Sequence, residues 1–203
     1  TDDPPCIMYE EGRFLLEGGY LDGLMLLTDF NNNTVQKINN PNDKSPVTSI
    51  VINQDENIVI VGNNIGVIYA YEVNEASFLF IKKIQYHQKA INYLFLSDEL
   101  NAFISCSEDK FINIYSLPNC DIIHSLEIEE PEFALLSGKP LPVCIIYSKK
   151  NNKLLTYGVN GHFISGVEVE NIPQYPIVYS NRHFRDYLIY SIKGFIYIRS
   201  LPN

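Results

Sequence analysis

The stretch from residue 87 to residue 128, HQKAINYLFLSDELNAFISCSEDKFINIYSLPNCDIIHSLEI, constrains the fold more than any other. It holds four short apolar runs, residues 91–96, 102–107, 111–116 and 122–126, separated by turn residues. Each run has the length of a strand, is rich in Ile, Phe, Tyr and Leu, and is too short for a globular helix. The gaps at 97–101, 108–110 and 117–121 suit hairpin connections. Four consecutive strands joined in this way make an antiparallel meander.

The meander returns along the chain. Its third strand ends Ile112-Asn113-Ile114-Tyr115-Ser116-Leu117-Pro118-Asn119, and the last eight residues read Ile196-Tyr197-Ile198-Arg199-Ser200-Leu201-Pro202-Asn203. Gly23-Leu24-Met25-Leu26-Leu27-Thr28, Gly66-Val67-Ile68-Tyr69-Ala70-Tyr71 and Gly161-His162-Phe163-Ile164-Ser165-Gly166 read as further copies. Their turn residues Gly23, Gly66, Lys110, Gly161 and Gly194 are spaced by 43, 44, 51 and 33 residues. A four-stranded unit repeating at about 40–45 residues is one blade of a β-propeller. The pattern predicts an all-β propeller with five four-stranded units, approximately 6–40, 47–85, 91–128, 142–171 and 176–203. The last unit lacks a fourth strand, so the chain is expected to be part of a larger propeller of about seven blades. Residues 128–141, with Glu129, Glu130 and Glu132, read as an insertion, either a recognition loop or a solvated connection.

Composition narrows the function. With 24 acidic against 15 basic residues, the formal charge is −9. Nucleic-acid binding, which needs a basic face, is not expected, and membrane contact is expected only through other proteins or domains. No apolar run reaches the length of a membrane-spanning helix. Cys6, Cys106, Cys120 and Cys144 stand singly, as in a reduced, cytoplasmic protein.

The third unit carries a polar set: His87 just before its first strand, Ser105 in the second, Asp109 in the following turn and Tyr115 in the third. An imidazole, a carboxylate and hydroxyls can satisfy one another when buried, tying the loop before the first strand to the sheet. The competing reading is a Ser-His-Asp catalytic triad, but no nucleophile elbow accompanies it. Elsewhere the set thins. The second unit has Asn64 and Tyr71 with Ser45 in place of histidine, and the fourth keeps Thr156 and Asn160.

This spacing resembles a WD repeat, with Tyr115 where the repeat's tryptophan usually sits. Gly18-Gly19-Tyr20-Leu21-Asp22 and residues 104–118, together with the closing Phe184-Arg185-Asp186-Tyr187-Leu188-Ile189-Tyr190, resemble the C-terminal propeller of BEACH-domain proteins. That family commonly has Trp where this chain has Leu21. The resemblance implies a non-catalytic scaffold of vesicle traffic and autophagy; a WD-repeat scaffold of an unrelated cytosolic complex is the alternative.

Some five-bladed propellers are glycosidases, whose chemistry needs paired carboxylates around the central pocket. The first strands proposed here, residues 6–9, 47–52, 91–96, 142–148 and 176–180, contain no Asp or Glu. There is no Walker A loop, HExxH motif or dinucleotide fingerprint, and His87, His124, His162 and His183 have no metal-ligand spacing. No cofactor or metal is expected. Partners should be other proteins, met through the face that carries the second-to-third turns, with Lys44, Asn64, Gln88, Lys89, Glu108 and Asn160 as candidate contacts.

Overall fold

A computed structural model describes residues 5–9, 11–41, 43–53, 57–74, 77–180 and 185–201. The regular elements among these residues are all β-strands. The chain divides into two compact units, residues 1–94 with 107–109, and residues 95–106 with 110–203.

The first unit holds two antiparallel sheets. One is built from β1 (Cys6–Tyr9), β2 (Phe14–Glu17), β3 (Leu24–Asp29) and β4 (Thr34–Asn39), in chain order. The next contains β5 (Val47–Asn53), β6 (Ile58–Asn63), β7 (Ile68–Asn74) and β8 (Ser77–Ile84), again in order. Period-two alternation sends Phe14, Leu16, Met25 and Leu27 inward to meet Val47, Ile50, Val59, Val61 and Tyr69. Strand β6, Ile-Val-Ile-Val, is buried on both faces, as befits an unbroken apolar run in mid-sheet. Burying one such Val or Ile side chain stabilises the fold by about 1.5–3 kcal/mol.

The third sheet contains β9 (Ile91–Ser97), β10 (Ala102–Ser107), β11 (Phe111–Ser116) and β12 (Ile122–Glu127), and the division between units runs through it. Side-chain bonds join its first strand to β5. Thr48 Oγ1 donates to the Ile91 carbonyl at 2.6 Å, and Ser49 Oγ accepts from Leu94 N at 3.1 Å.

The second unit adds β13 (Pro131–Ser137), β14 (Val143–Ser148), β15 (Lys153–Gly158) and β16 (Phe163–Glu168) as one sheet. Among the described residues a last sheet has three strands, β17 (Gln174–Ser180), β18 (Asp186–Ile192) and β19 (Phe195–Ser200). The core of the second unit includes Phe103 stacked on Tyr115 at 4.6 Å and Phe133 on Tyr147 at 5.7 Å.

The fourth repeat departs from the sequence reading. Residues 128–141 are not an insertion, because Pro131–Ser137 within them form β13, the first strand of the sheet. Residues 143–148 then form the second strand rather than the first, and Gly161 lies in the third-to-fourth turn. The second-to-third turn holds Asn152, with φ 49°. With Asn152 in place of Gly161, the turn residues 23, 66, 110, 152 and 194 are 42 to 44 apart, and all have positive φ. The five first strands begin at residues 6, 47, 91, 131 and 174, a spacing of 40 to 44. Proline at the first position of a strand is tolerated, since its missing N–H falls where the ladder is only beginning. The shift also places one carboxylate, Glu132, on a first strand. His183, Phe184 and the terminal Pro202-Asn203 lie outside the described residues.

Candidate functional site

One main-chain bond recurs in four repeats. The first residue after the second strand donates its N–H to the carbonyl just before the first strand. The pairs are Gly18 to Pro5 at 2.8 Å, Asn64 to Pro46 at 3.0 Å, Glu108 to Ala90 at 3.1 Å and Lys149 to Glu130 at 2.9 Å. Each latches a second-to-third hairpin to the loop that enters its own sheet.

Around this latch in the first unit, polar side chains fill the same slots with different chemistry. His87 is buried, and its Nδ1 lies 3.0 Å from Asp109 Oδ2. A carboxylate only accepts, so Nδ1 carries the proton. Burial pulls the imidazole below its ordinary pKa, while the Asp109 charge and hydrogen bond work the other way. The same carboxylate accepts the Gln88 N–H at 2.9 Å. Ser107 Oγ donates to the Lys89 carbonyl at 3.2 Å and accepts the Asp109 N–H at 3.2 Å.

One repeat earlier, Asp43 stands in the loop, and its Oδ2 accepts from Asn63 Nδ2 at 2.8 Å and from the Tyr69 hydroxyl at 2.7 Å. Its Oδ1 accepts the Ser45 N–H at 2.8 Å. Burial raises the Asp43 pKa, but the Ser45 and Tyr69 hydrogen bonds and the Lys83 charge outweigh it and hold the carboxyl below its ordinary value. Asn63 Oδ1 accepts the Ile65 and Val67 N–H groups, at 3.2 and 2.8 Å, and so shapes the hairpin tip. Tyr71 donates to Asn40 Oδ1 at 2.6 Å.

Of the polar set read from the sequence, the first unit therefore joins His87 to Asp109. Ser105 and Tyr115 belong to the second unit, where Ser105 faces Asn113 and Tyr115 faces Phe103 across the β10–β11 ladder. Sequence reasoning missed Ser107, Asp43, Asn63 and Tyr69. The 44-residue period carries the signal, because Asp43 and Asn63 lie one repeat before His87 and Ser107.

The candidate contacts divide. Lys44, Asn64, Gln88, Lys89 and Glu108 are exposed and belong to the first unit. Asn160 is exposed too, but it sits in the β15–β16 turn, where its Oδ1 accepts the His162 N–H. That is the opposite end of its own sheet from the second-to-third turn, so it leaves the proposed set. The cause is the same shift of one strand in the fourth repeat.

Glycine sets how closely the loops of the first unit nest. A Cβ on Gly66, at φ 86°, would lie 2.6 Å from the Lys89 carbonyl oxygen and 2.8 Å from the His87 backbone. A Cβ on Gly23 would lie 2.8 Å from the Lys44 and Ser45 backbone. Hairpin tips and entry loops thus form a continuous row: 18–23, 43–46, 63–66, 87–90 and 107–109.

The second unit contains its own polar junction. Asp186 Oδ2 accepts from Ser137 Oγ at 2.7 Å and from the Gly138 and Lys139 N–H groups, while Oδ1 accepts from Ser180 Oγ at 2.7 Å. It lines a cleft of about 410 Å³ beside Glu99, which pairs with Lys139 at 3.0 Å. With four donors on it, this carboxylate ties β13 and β17 to β18. The acidic stretch after β12 is tied down as well. Glu129 pairs with Lys110 at 2.9 Å and with Lys150 at 3.6 Å, and Glu132 lies 4.0 Å from Lys149.

Chemically, these groups donate to and accept from one another. The Ser107 hydroxyl donates to a main-chain carbonyl. Glu132 has no second first-strand carboxylate to work with, because β1, β5, β9 and β17 contain none. Among the described residues, no group of three or more His, Cys, Asp or Glu could hold a metal ion.

No family model matches the chain. Over 80 residues, 37% of the chain, it is 34% identical to a target of rapamycin complex subunit, wat1, of Schizosaccharomyces pombe. The chain spans 26% of that protein. A WD40 propeller chain in the crystal structure of the mitotic checkpoint complex superposes with a TM-score of 0.73 at 12% identity. The match covers 96% of this chain and 65% of that one. The fold is the antiparallel, four-stranded blade repeat of a WD40 β-propeller.

Proposed function

We propose that this chain is a non-catalytic protein-interaction scaffold whose contacts are made by the loop row of the first unit. The observation that carries the reading is that the polar groups under this row are spent on holding loops. The side chains left outward are the exposed Lys44, Asn64, Gln88, Lys89 and Glu108. Propeller strands are used up in sheet packing, so recognition falls to the loops. Asp109 carries a structural load here, not a catalytic one.

The chain's place would be within a larger cytoplasmic assembly, with membrane contact only through other components. Two assemblies are compatible with the residues. The glycine-aromatic motif at 18–22 and the run at 104–118 support a BEACH-type protein of vesicle traffic or autophagy. The 80-residue match to a target of rapamycin complex subunit supports a scaffold in a multi-subunit complex of a different kind.

A pull-down with the intact chain, compared with Lys89→Glu/Glu108→Lys, tests the face. The expected result is loss of specific partners with an unchanged unfolding midpoint. Identical partner lists would reject the face. Hydrolysis of a glycan or ester panel by the purified protein, abolished in a folded His87→Gln variant, would overturn the scaffold reading itself.

A further inference from the structure

The middle of the loop row has a chemistry of its own. Ile65, at the tip of the β6–β7 hairpin, is 49% exposed although its N–H is held by Asn63 Oδ1. On one side lies the entry loop with Lys44, and on the other the entry loop with Lys89, whose carbonyl the Gly66 turn abuts. Neither lysine forms an ion pair among the described residues. In contrast, Arg13, Lys110, Lys139, Lys149, Lys150 and Lys153 all have carboxylate partners. Beyond Lys44, the next hairpin tip presents Leu21, which is 91% exposed, and Tyr20. Asp43 and Asp109 also belong to the row, but both are partly buried and taken up by Ser45, Asn63 and Tyr69, and by His87 and Gln88. The exposed carboxylates stand toward its two ends. Asp22 caps the Leu24 N–H at 3.2 Å, and Glu108 occupies the far hairpin.

In a chain of charge −9, these loops set two exposed ammonium groups, without ion-pair partners among the described residues, on either side of an exposed isoleucine. The backbone here is already fixed: Asn64 N is bonded to Pro46 O, Gln88 N to Asp109, and Asn63 to Asp43. Binding there would order little that is not ordered, which is the condition for affinity from few contacts. Resting on the scaffold reading above, we propose that Lys44, Ile65 and Lys89, extended by Tyr20 and Leu21, dock an acidic segment of a partner protein that carries aliphatic side chains between its carboxylates. The aliphatic groups cover Ile65 and Leu21, and the carboxylates meet the two ammonium groups. Charge complementarity of this kind sets orientation and association rate, and it weakens with salt.

The test uses the full chain labelled with nitrogen-15 and three capped eight-residue probes: alternating Glu-Leu, Lys-Leu and Glu-Ser. The Glu-Leu probe should shift amides at 20–22, 44–45, 63–66 and 87–89. Lys44→Glu/Lys89→Glu should weaken it by about tenfold or more, and Ile65→Asp comparably, with the fold retained. Binding of Lys-Leu or Glu-Ser equal to that of Glu-Leu would overturn the proposal, as would shifts confined to other residues. Equal competition by a single-stranded RNA would overturn it too, since a bare polyanion would then suffice. A probe that fails here while Lys89→Glu/Glu108→Lys still removes partners in the pull-down sinks the acidic-segment proposal alone; failure of the probe together with identical partner lists sinks the face.

Discussion

Asp43 stands in the second repeat where His87 stands in the third, 44 residues earlier, and the two solve one problem with opposite chemistry. In the second repeat the loop supplies the carboxylate and the hairpin supplies Asn63 as donor. In the third the loop supplies the imidazole donor and the hairpin the Asp109 carboxylate. The junction needs a donor facing an acceptor, and either side can supply either.

Removing one partner should therefore cost more than removing both. Asp43→Ala strands the Tyr69 hydroxyl and the Asn63 amide, and Asp109→Ala strands the buried His87 N–H. Each should lower unfolding free energy by about 1–3 kcal/mol. Tyr69→Phe, which removes the donor and leaves Asp43 bonded to Asn63 and Ser45, should cost about 1 kcal/mol. Urea midpoints with unchanged m-values check the series; an unaltered midpoint for Asp109→Ala would remove the His87 junction from the account.

Acid should find these junctions in two steps. The folded state lowers the His87 pKa, so the stability tied to its neutral form is full above the ordinary value of about 6.5 and falls away as pH drops through the lower folded value. Asp43 and Asp186 are also held below their ordinary values: burial opposes this, but hydrogen bonds from Ser45 and Tyr69, and from Ser137 and Ser180, prevail. Their contribution is present above about pH 4 and lost as pH falls through their lower folded values. Urea midpoints between pH 7 and 5 should decline in the wild type and less steeply in His87→Gln. Parallel curves would place the titration elsewhere.

Two glycines with nearly the same backbone should respond differently to a methyl group. Gly66 and Gly194 have φ of 86° and 83°, but a Cβ meets the His87 and Lys89 backbone at the first and nothing within 4 Å at the second. Gly194→Ala should cost about 1 kcal/mol for the backbone conformation alone. Gly66→Ala should cost clearly more and should also shift the amide signals of residues 87–89. Equal losses for the two would mean that the close nesting carries no energy.

The Asp186 junction predicts a local loss in the second unit. Asp186→Ala leaves Ser137, Ser180 and the Gly138 and Lys139 N–H groups without their acceptor. Hydrogen exchange at residues 137–139 should rise, with a stability loss of about 1–3 kcal/mol. Unchanged protection at those amides would rule out the tie.

Three of the four complete repeats were legible because their apolar runs are bounded by Gly, Asn and Asp turns. The fourth was not. Strand β13 opens Pro131-Glu132 and follows Glu129-Glu130, so its polar start reads as a loop, although Phe133 to Ser137 are buried. The clue lay in Val143-Cys144-Ile145-Ile146, an apolar run without alternation, which matches the doubly buried second strands β6 and β10. The polar junctions were half legible. His87 and Asp109 stood out by residue type, whereas Asp43 and Asn63 look like ordinary loop residues until the 44-residue offset is applied.

The bond that joins Gly18 to Pro5, Asn64 to Pro46, Glu108 to Ala90 and Lys149 to Glu130 is made by peptide groups alone. Glycine, amide, carboxylate and ammonium residues all stand at the donor position, and the bond uses none of their side chains, although at the buried Gly18 a Cβ would lie 2.7 Å from Val47. A repeat built this way separates the grammar of its turns from their vocabulary. The outward residues can be rewritten one at a time, and a new surface can be tried without first inventing a new way to close the loop.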